Sequence, residues 1–184
     1  MPAFHPHRDS GKPSPWIERF ASLLPTGGSV LDVACGGGRH GRFFLDSGAR
    51  VTCLDRDISF VGDLSDRAEI IEADLEIGRP WPLGERTFDA VVVVNYLFRP
   101  LLPRLIEAVA PGGLFLYQTF SLGNERYDRP RNPDHLLRPG ELLAAVDGRL
   151  QVLAYECGIE DWGGGPKVIQ RICALHGADP VRLS

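Results

Sequence analysis

From residue 29 onward the chain alternates short apolar runs with mixed polar segments. Val30-Leu31-Asp32-Val33-Ala34, Val51-Thr52-Cys53-Leu54-Asp55, Ile70-Ile71-Glu72-Ala73, Ala90-Val91-Val92-Val93-Val94 and Leu114-Phe115-Leu116-Tyr117 are each bounded by glycine, proline or charged residues. Runs of this length, rich in β-branched residues, predict strands over 29–34, 50–55, 69–73, 88–94 and 113–119. Helical patterns fall between the first two runs, at about 39–47, and between the last two, at about 100–110; a short helical or irregular stretch separates the second and third. Strands alternating with helices imply a doubly wound α/β fold, a mostly parallel sheet with helices on both faces. The unbroken valine run is what a strand buried on both faces requires.

The two ends read differently. Residues 1–15 are polar and proline-rich and predict an irregular, flexible arm. Ser14-Pro15-Trp16 then opens a short helix through about Leu24, since proline suits the first helical turn. Residues 121–139 form a long turn-rich segment broken by Gly123, Pro130, Pro133 and Pro139, a length that predicts a lid or binding loop. A helix at about 139–146 follows, then strands near 150–156 and 167–175, which pair as a long-looped hairpin at the sheet edge across Gly158 to Pro166. Trp162-Gly163-Gly164-Gly165 falls in that loop as a candidate rim element. The expected organisation is an arm, 1–15, and one domain, 16–184.

Composition narrows the class. At 184 residues, 43% hydrophobic and 24% charged, the chain can bury a core without staples. A net charge of −4 argues against a broad nucleic-acid footprint, which needs a basic stripe. Arg126, Arg129, Arg131 and Arg138 do cluster, but Glu125, Asp128 and Asp134 sit among them, so a solvated mixed-charge loop is expected. Cys35, Cys53, Cys157 and Cys173 lack the close spacing of a zinc site or disulfide framework. No metal is expected, and the His5-Pro6-His7 pair reads as part of the arm. With no secretory h-region and no run of membrane-spanning length, a reduced cytoplasmic setting is expected.

The chemistry concentrates at Asp32-Val33-Ala34-Cys35-Gly36-Gly37-Gly38-Arg39, with Asp55 after the next apolar run. A strand ending in a carboxylate, then three glycines opening a helix, is a turn that lets a ligand approach the backbone. Two cofactors compete for it. Gly36-Gly37-Gly38-Arg39-His40-Gly41 satisfies the G-x-G-x-x-G dinucleotide pattern, and Asp55 stands where such a fold places its ribose acid. Asp32 decides against NAD(P), because a pyrophosphate on the helix N-terminus would meet a carboxylate there. A cationic sulfonium donor turns the same charge into an attraction.

These residues resemble the acidic glycine-rich motif, Asp/Glu-x-Gly-x-Gly-x-Gly, of Rossmann-like (class I) S-adenosylmethionine-dependent methyltransferases, and look most like the small methyltransferases typified by the tellurite-resistance enzyme. The likeness is motif-specific over residues 30–75. Ala34 replaces the usual first glycine, which implies a backbone with no need of positive φ there. The resemblance implies a seven-stranded sheet with one antiparallel strand and S-adenosyl-L-methionine as cofactor, with S-adenosyl-L-homocysteine as product. It implies that Asp32 faces the methionyl ammonium, directly or through water, and that Ala34, Gly36 and Gly38 give the cofactor access to the turn. Asp55 would accept both ribose hydroxyls, Asp74 the adenine amino group, and the Leu75 N–H would face a ring nitrogen. Asn95 and Tyr96 would lie near the transferring methyl.

Asn95-Tyr96-Leu97-Phe98 is not the Asn/Asp-Pro-Pro-Tyr/Phe motif of planar-nitrogen methylation, which argues against such an acceptor; the acidic balance favours a small molecule, a thiol or chalcogen oxyanion would need no dedicated base, and His135, His40 and Tyr96 are the candidates should the acceptor have to lose a proton. Trp16, Arg99, Gln118 and His135 are the candidate substrate contacts; Arg99 reads equally as an anion binder or the cap of a turn. RNA methylation is the alternative resting on the arginine-bearing loop. An NAD(P)-dependent oxidoreductase and a non-catalytic cofactor-binding module are alternatives of other classes. Asp55, taken as a surface polar residue, should be replaceable by alanine with little change in the apo melting temperature.

Overall fold

A computed structural model describes residues 11–162 and 165–182. Seven strands, β1 (Ser29–Val33), β2 (Arg50–Asp55), β3 (Glu69–Glu72), β4 (Phe88–Val94), β5 (Val109–Phe120), β6 (Gln151–Trp162) and β7 (Gly165–Leu175), form one sheet in the order β3-β2-β1-β4-β5-β7-β6. β1 to β5 pair in parallel, and β7 runs antiparallel to both β5 and β6. The expected doubly wound, mostly parallel sheet is therefore present. Its order reverses between β1 and β4, the position where open α/β sheets bind ligands.

Helices cover both faces: α1 (Pro15–Ala21), α2 (Arg39–Asp46), α3 (Leu102–Glu107) and α4 (Glu141–Val146). The period-two alternation of strand side chains divides the core. Val30, Val51, Ala90, Val92, Leu114 and Leu116 pack with Trp16, Ile17 and Phe20 of α1 and Phe44 of α2. Leu31, Val33, Val91, Val93 and Phe115 face Leu102, Leu105 and Ile106 of α3 and Leu142 of α4 on the other side. Asp32, in phase with Val30, is thereby directed toward α2.

Three boundaries differ from expectation. The helix expected at about 100–110 is a 3-10 turn, Arg99–Leu101, continued by α3, and β5 already begins at Val109. Its register slips between Phe88↔Val109 and Ala90↔Leu114, which absorbs Pro111-Gly112-Gly113 as a bulge. The terminal strands are longer than expected, because their pairing continues to Asp161↔Pro166 and Trp162↔Gly165. Pro166 is tolerated since β5 pairs with β7 only as far as Phe120↔Ile169, leaving one side of the extension without a ladder to complete. The long hairpin loop is thus a ladder, and Gly163 and Gly164 of the proposed rim turn lie outside the described residues, as do His5, His7 and most of the arm.

Candidate cofactor site

The turn between β1 and α2 must change strand geometry into helix geometry within five residues. It does so through three left-handed residues, Ala34 (φ 52), Gly36 (φ 53) and Gly38 (φ 72), the last being the cap of α2. The expectation for Ala34 is corrected: the backbone does take positive φ there. The turn imposes it through the Cys35 N–H, which donates to the Leu54 carbonyl at 3.2 Å, and the Gly38 N–H, which donates to the Cys35 carbonyl at 2.9 Å. Alanine, with the smallest side chain after glycine, tolerates this at a cost of about 1–2 kcal/mol.

Two carboxylates each take a backbone donor of this turn or of the helix it opens. Asp32, 1% exposed, accepts from the Gly41 N–H in the first turn of α2 at 2.9 Å. Asp55 accepts from the Gly36 N–H at 2.8 Å through one oxygen and from the Asp57 N–H at 3.0 Å through the other. Burial pushes the Asp32 carboxyl up to about 7, opposed by the Gly41 bond and the positive charge of Arg39. Asp32 therefore lies beneath the turn. Asp55 is buried too, so its alanine variant would lose two charge-assisted bonds, contrary to the surface reading.

At the end of β4, Asn95 is exposed and left-handed (φ 59), with its N–H bonded to the Gln118 carbonyl of β5 at 2.9 Å. Among the described residues Ala34 and Asn95 alone combine positive φ with a side chain, and they follow adjacent strands. Strain of this kind collects where a ligand must approach backbone. Tyr96 is half-buried, and its carbonyl accepts from the Tyr117 hydroxyl at 2.7 Å. Burial, with Glu76 beside it, raises the Tyr96 phenol above its ordinary range. Asp74 and Leu75 are half-buried beyond β3, with the Asp74 carboxylate accepting from the Glu76 N–H at 2.9 Å.

One cluster has no counterpart in the sequence reading. The Ser14 N–H donates to His40 Nε2 at 3.1 Å, and the Ser14 hydroxyl donates to Gln118 Oε1 at 2.7 Å. Residues just ahead of α1 thus bridge the start of α2 and the end of β5. Burial lowers the His40 imidazole to about 3, keeping it neutral as an acceptor. Ser14 lies 104 positions from Gln118, and its only sequence signal was that of a helix cap, a role it also fills by accepting from the Trp16 N–H at 3.2 Å.

Two proposed substrate contacts are corrected. Trp16 is 2% exposed, and its indole N–H donates to the Ile172 carbonyl of β7 at 3.3 Å; the apolar face of α1 carries it into the core. Arg99 binds Glu141 through Nε at 2.6 Å and Nη2 at 3.0 Å, and the Asp134 and Leu136 carbonyls at 2.8 and 2.7 Å. Its guanidinium fastens the 121–139 segment to α4 and has little capacity left for an anion. That segment is held further by Asn124 Oδ1, which accepts from the Val168 N–H at 3.1 Å, and by Gln170, which donates to the Arg138 carbonyl at 2.9 Å. It is a fixed wall. His135 is exposed on it, in a 3-10 turn.

A seven-stranded sheet of this order, with a glycine turn after β1 and acids following β1, β2 and β3, has the Rossmann-like methyltransferase fold. The chain matches the family model described as a methyltransferase domain over residues 30–113. It is 32% identical over 105 residues to the malonyl-[acyl-carrier protein] O-methyltransferase of Pseudescherichia vulneris, covering 52% of this chain and 40% of that protein. The chain thus spans about two fifths of the length of the curated relatives it matches. Among solved structures, TehB from Haemophilus influenzae superposes with a TM-score of 0.70 at 16% identity, over 96% of this chain and 64% of that one. A SAM-dependent methyltransferase from Aquifex aeolicus gives 0.62 at 16% identity, over 94% of both chains. The fold that the resemblance implied is borne out, and TehB is among the structures that share it.

Proposed function

We propose that this chain is an S-adenosylmethionine-dependent methyltransferase acting on a small-molecule acceptor. The observation that supports this best is the use of the turn's own donors. The Gly36 N–H is taken by Asp55 and the Gly41 N–H by Asp32, so two amides that would cradle a pyrophosphate are committed to carboxylates. That arrangement repels a dinucleotide and suits a cation, which disfavours the oxidoreductase alternative.

The residues fit the adenosyl donor. An ionised carboxylate offers about four acceptor positions, and backbone N–H groups take two on Asp55, leaving room for both ribose hydroxyls. Asp74 with the Leu75 N–H would read adenine beyond β3. Ala34, Gly36 and Gly38 would line the turn, Asp32 would supply negative potential beneath it, and Asn95 with Tyr96 would position the methyl end. S-Adenosylmethionine brings a methyl group already activated on a sulfonium. The protein's part is alignment and exclusion of water.

Among the described residues, neither His40 nor Tyr96 offers a ready base. His40 is a poor proton acceptor and already accepts from Ser14, and the Tyr96 phenol resists ionisation. An acceptor that arrives as a nucleophile therefore fits best: a thiolate, a chalcogen oxyanion or a carboxylate, the oxygen case agreeing with the O-methyltransferase name of the curated relatives. RNA fits less well with a net charge of −4, and its binding would show a steep salt dependence.

Thermal-shift measurements with S-adenosylmethionine, S-adenosylhomocysteine, NAD and NADP test the cofactor. Both adenosyl compounds should raise Tm and the dinucleotides should not. Asp55→Asn should weaken the adenosyl response, while Asp55→Ala should in addition lower the apo stability by about 1.5–3 kcal/mol for each bond lost. A Tm raised only by NAD or NADP would overturn the assignment.

A further inference from the structure

The Gln118 side chain, at the end of β5, is fully buried, yet among the described residues its Nε2 has no hydrogen-bond partner. Its Oε1 is taken by the Ser14 hydroxyl at 2.7 Å, which fixes the amide. Reversing the amide would leave the oxygen unpaired, so this residue is half-satisfied in either orientation. An orphaned buried donor carries an unrecovered desolvation cost, a penalty that a ligand acceptor atom would remove.

Position indicates which atom. Gln118 shares a sheet face with Leu114 and Leu116, the face covered by α1 and α2, and touches the Ser14 bridge that also holds His40. Arg39, next to His40 at the start of α2, places positive charge that is felt at both His40 and Asp32. With ribose at Asp55 and the methionyl ammonium over Asp32, the amino-acid end of the cofactor would come to the start of α2, where Ser14 joins His40 to Gln118. The end that arrives beneath Ser14 is the amino-acid end, and the atoms on it that accept hydrogen bonds are carboxylate oxygens.

We propose that Gln118 Nε2 donates to the methionyl carboxylate of the bound cofactor, with Ser14 holding the amide in place. Gln118 is then a cofactor-positioning residue, in place of the substrate contact read from the sequence, and residues 11–14 form the wall that closes the methionyl end. This rests on the proposed cofactor.

The test compares two ligands that differ in that carboxylate. S-Adenosylhomocysteine carries it; 5′-methylthioadenosine keeps the adenosine and thioether but lacks the amino-acid end. By calorimetry on the full chain, Gln118→Leu should weaken S-adenosylhomocysteine binding about ten- to a hundredfold, the range for a bond to a charged group, and change 5′-methylthioadenosine binding less than about twofold. Gln118→Met, closer in length, should show the same split, and keeps the test valid if the leucine variant folds poorly. Equal loss for both ligands, or loss for neither with a raised KM for the methyl acceptor, would overturn the proposal while leaving the cofactor assignment standing. A wild-type chain that binds neither ligand would overturn both.

Discussion

Asp32 carries a carboxyl that the fold keeps almost entirely from water, and this has a measurable consequence. Burial raises its carboxyl from 3.8 to about 7, so the folded chain holds a proton that the unfolded chain releases across that interval. The unfolded state binds fewer protons there, and stability falls as pH rises from about 4 to 7. Urea unfolding of Asp32→Asn should show the stability difference shifting in the variant's favour between pH 5 and pH 8. A cationic ligand favours the ionised acid, so affinity of the wild type for S-adenosylmethionine should rise through pH 7, a trend the asparagine variant lacks. Ala34 offers a second residue-scale test. Since it sits at φ 52, Ala34→Gly should be neutral or stabilising by up to about 1 kcal/mol in chemical denaturation, whereas valine there should cost about 2 kcal/mol or more. At Ala34 the sequence reading misjudged the backbone geometry. A motif records which side chains a turn tolerates, while the φ that Ala34 adopts is imposed by bonds to Leu54 on the neighbouring strand.

Between elements, the critical contact is α2 against the sheet. A Cβ on Gly41 would stand 2.8 Å from Cys53 Sγ of β2 and 3.5 Å from Asp32 Oδ2. Glycine in a helix interior ordinarily costs about 1 kcal/mol relative to alanine, but here close approach outweighs propensity. Gly41→Ala should destabilise by about 1–3 kcal/mol, and Cys53→Ala should restore part of that loss in a double-mutant cycle measured by denaturation. If the two substitutions prove additive, the contact is not limiting. The parallel strands and the helix after the glycine turn were legible because each repeats its own period. The helical ends after Leu105 and the extension of the β6–β7 ladder beyond the expected strands were not, because a bulge in β5 and an unpaired ladder side at Pro166 depend on neighbours that no local window contains.

Over the whole molecule, the 121–139 segment has the length of a lid and the anchoring of a wall. Arg99 and Glu141, 29% and 17% exposed in their side chains, form the central fastening. Arg99→Ala should lower stability by about 1–3 kcal/mol and expose Arg126, Arg129 and Arg131 to trypsin, read as faster cleavage at those sites in limited proteolysis. Cleavage at the wild-type rate would remove Arg99 from that role. Any loss of methyl transfer should be alike for neutral and anionic acceptors, since the guanidinium is already occupied. No helix among the described residues is long and apolar enough to cross a membrane. By itself the sequence determined the alternating strand and helix order, the burial of the valine strand, and the acids at consecutive strand ends, because periodicity and turn chemistry are local properties. Only the tertiary structure decided that Asp55 takes an amide of the glycine turn and Asp32 one of the helix it opens, that Trp16 and Arg99 serve packing and anchoring, and that Ser14, His40 and Gln118 meet. Those facts depend on which distant segments the sheet order brings within hydrogen-bond distance, and no spacing along the chain encodes it.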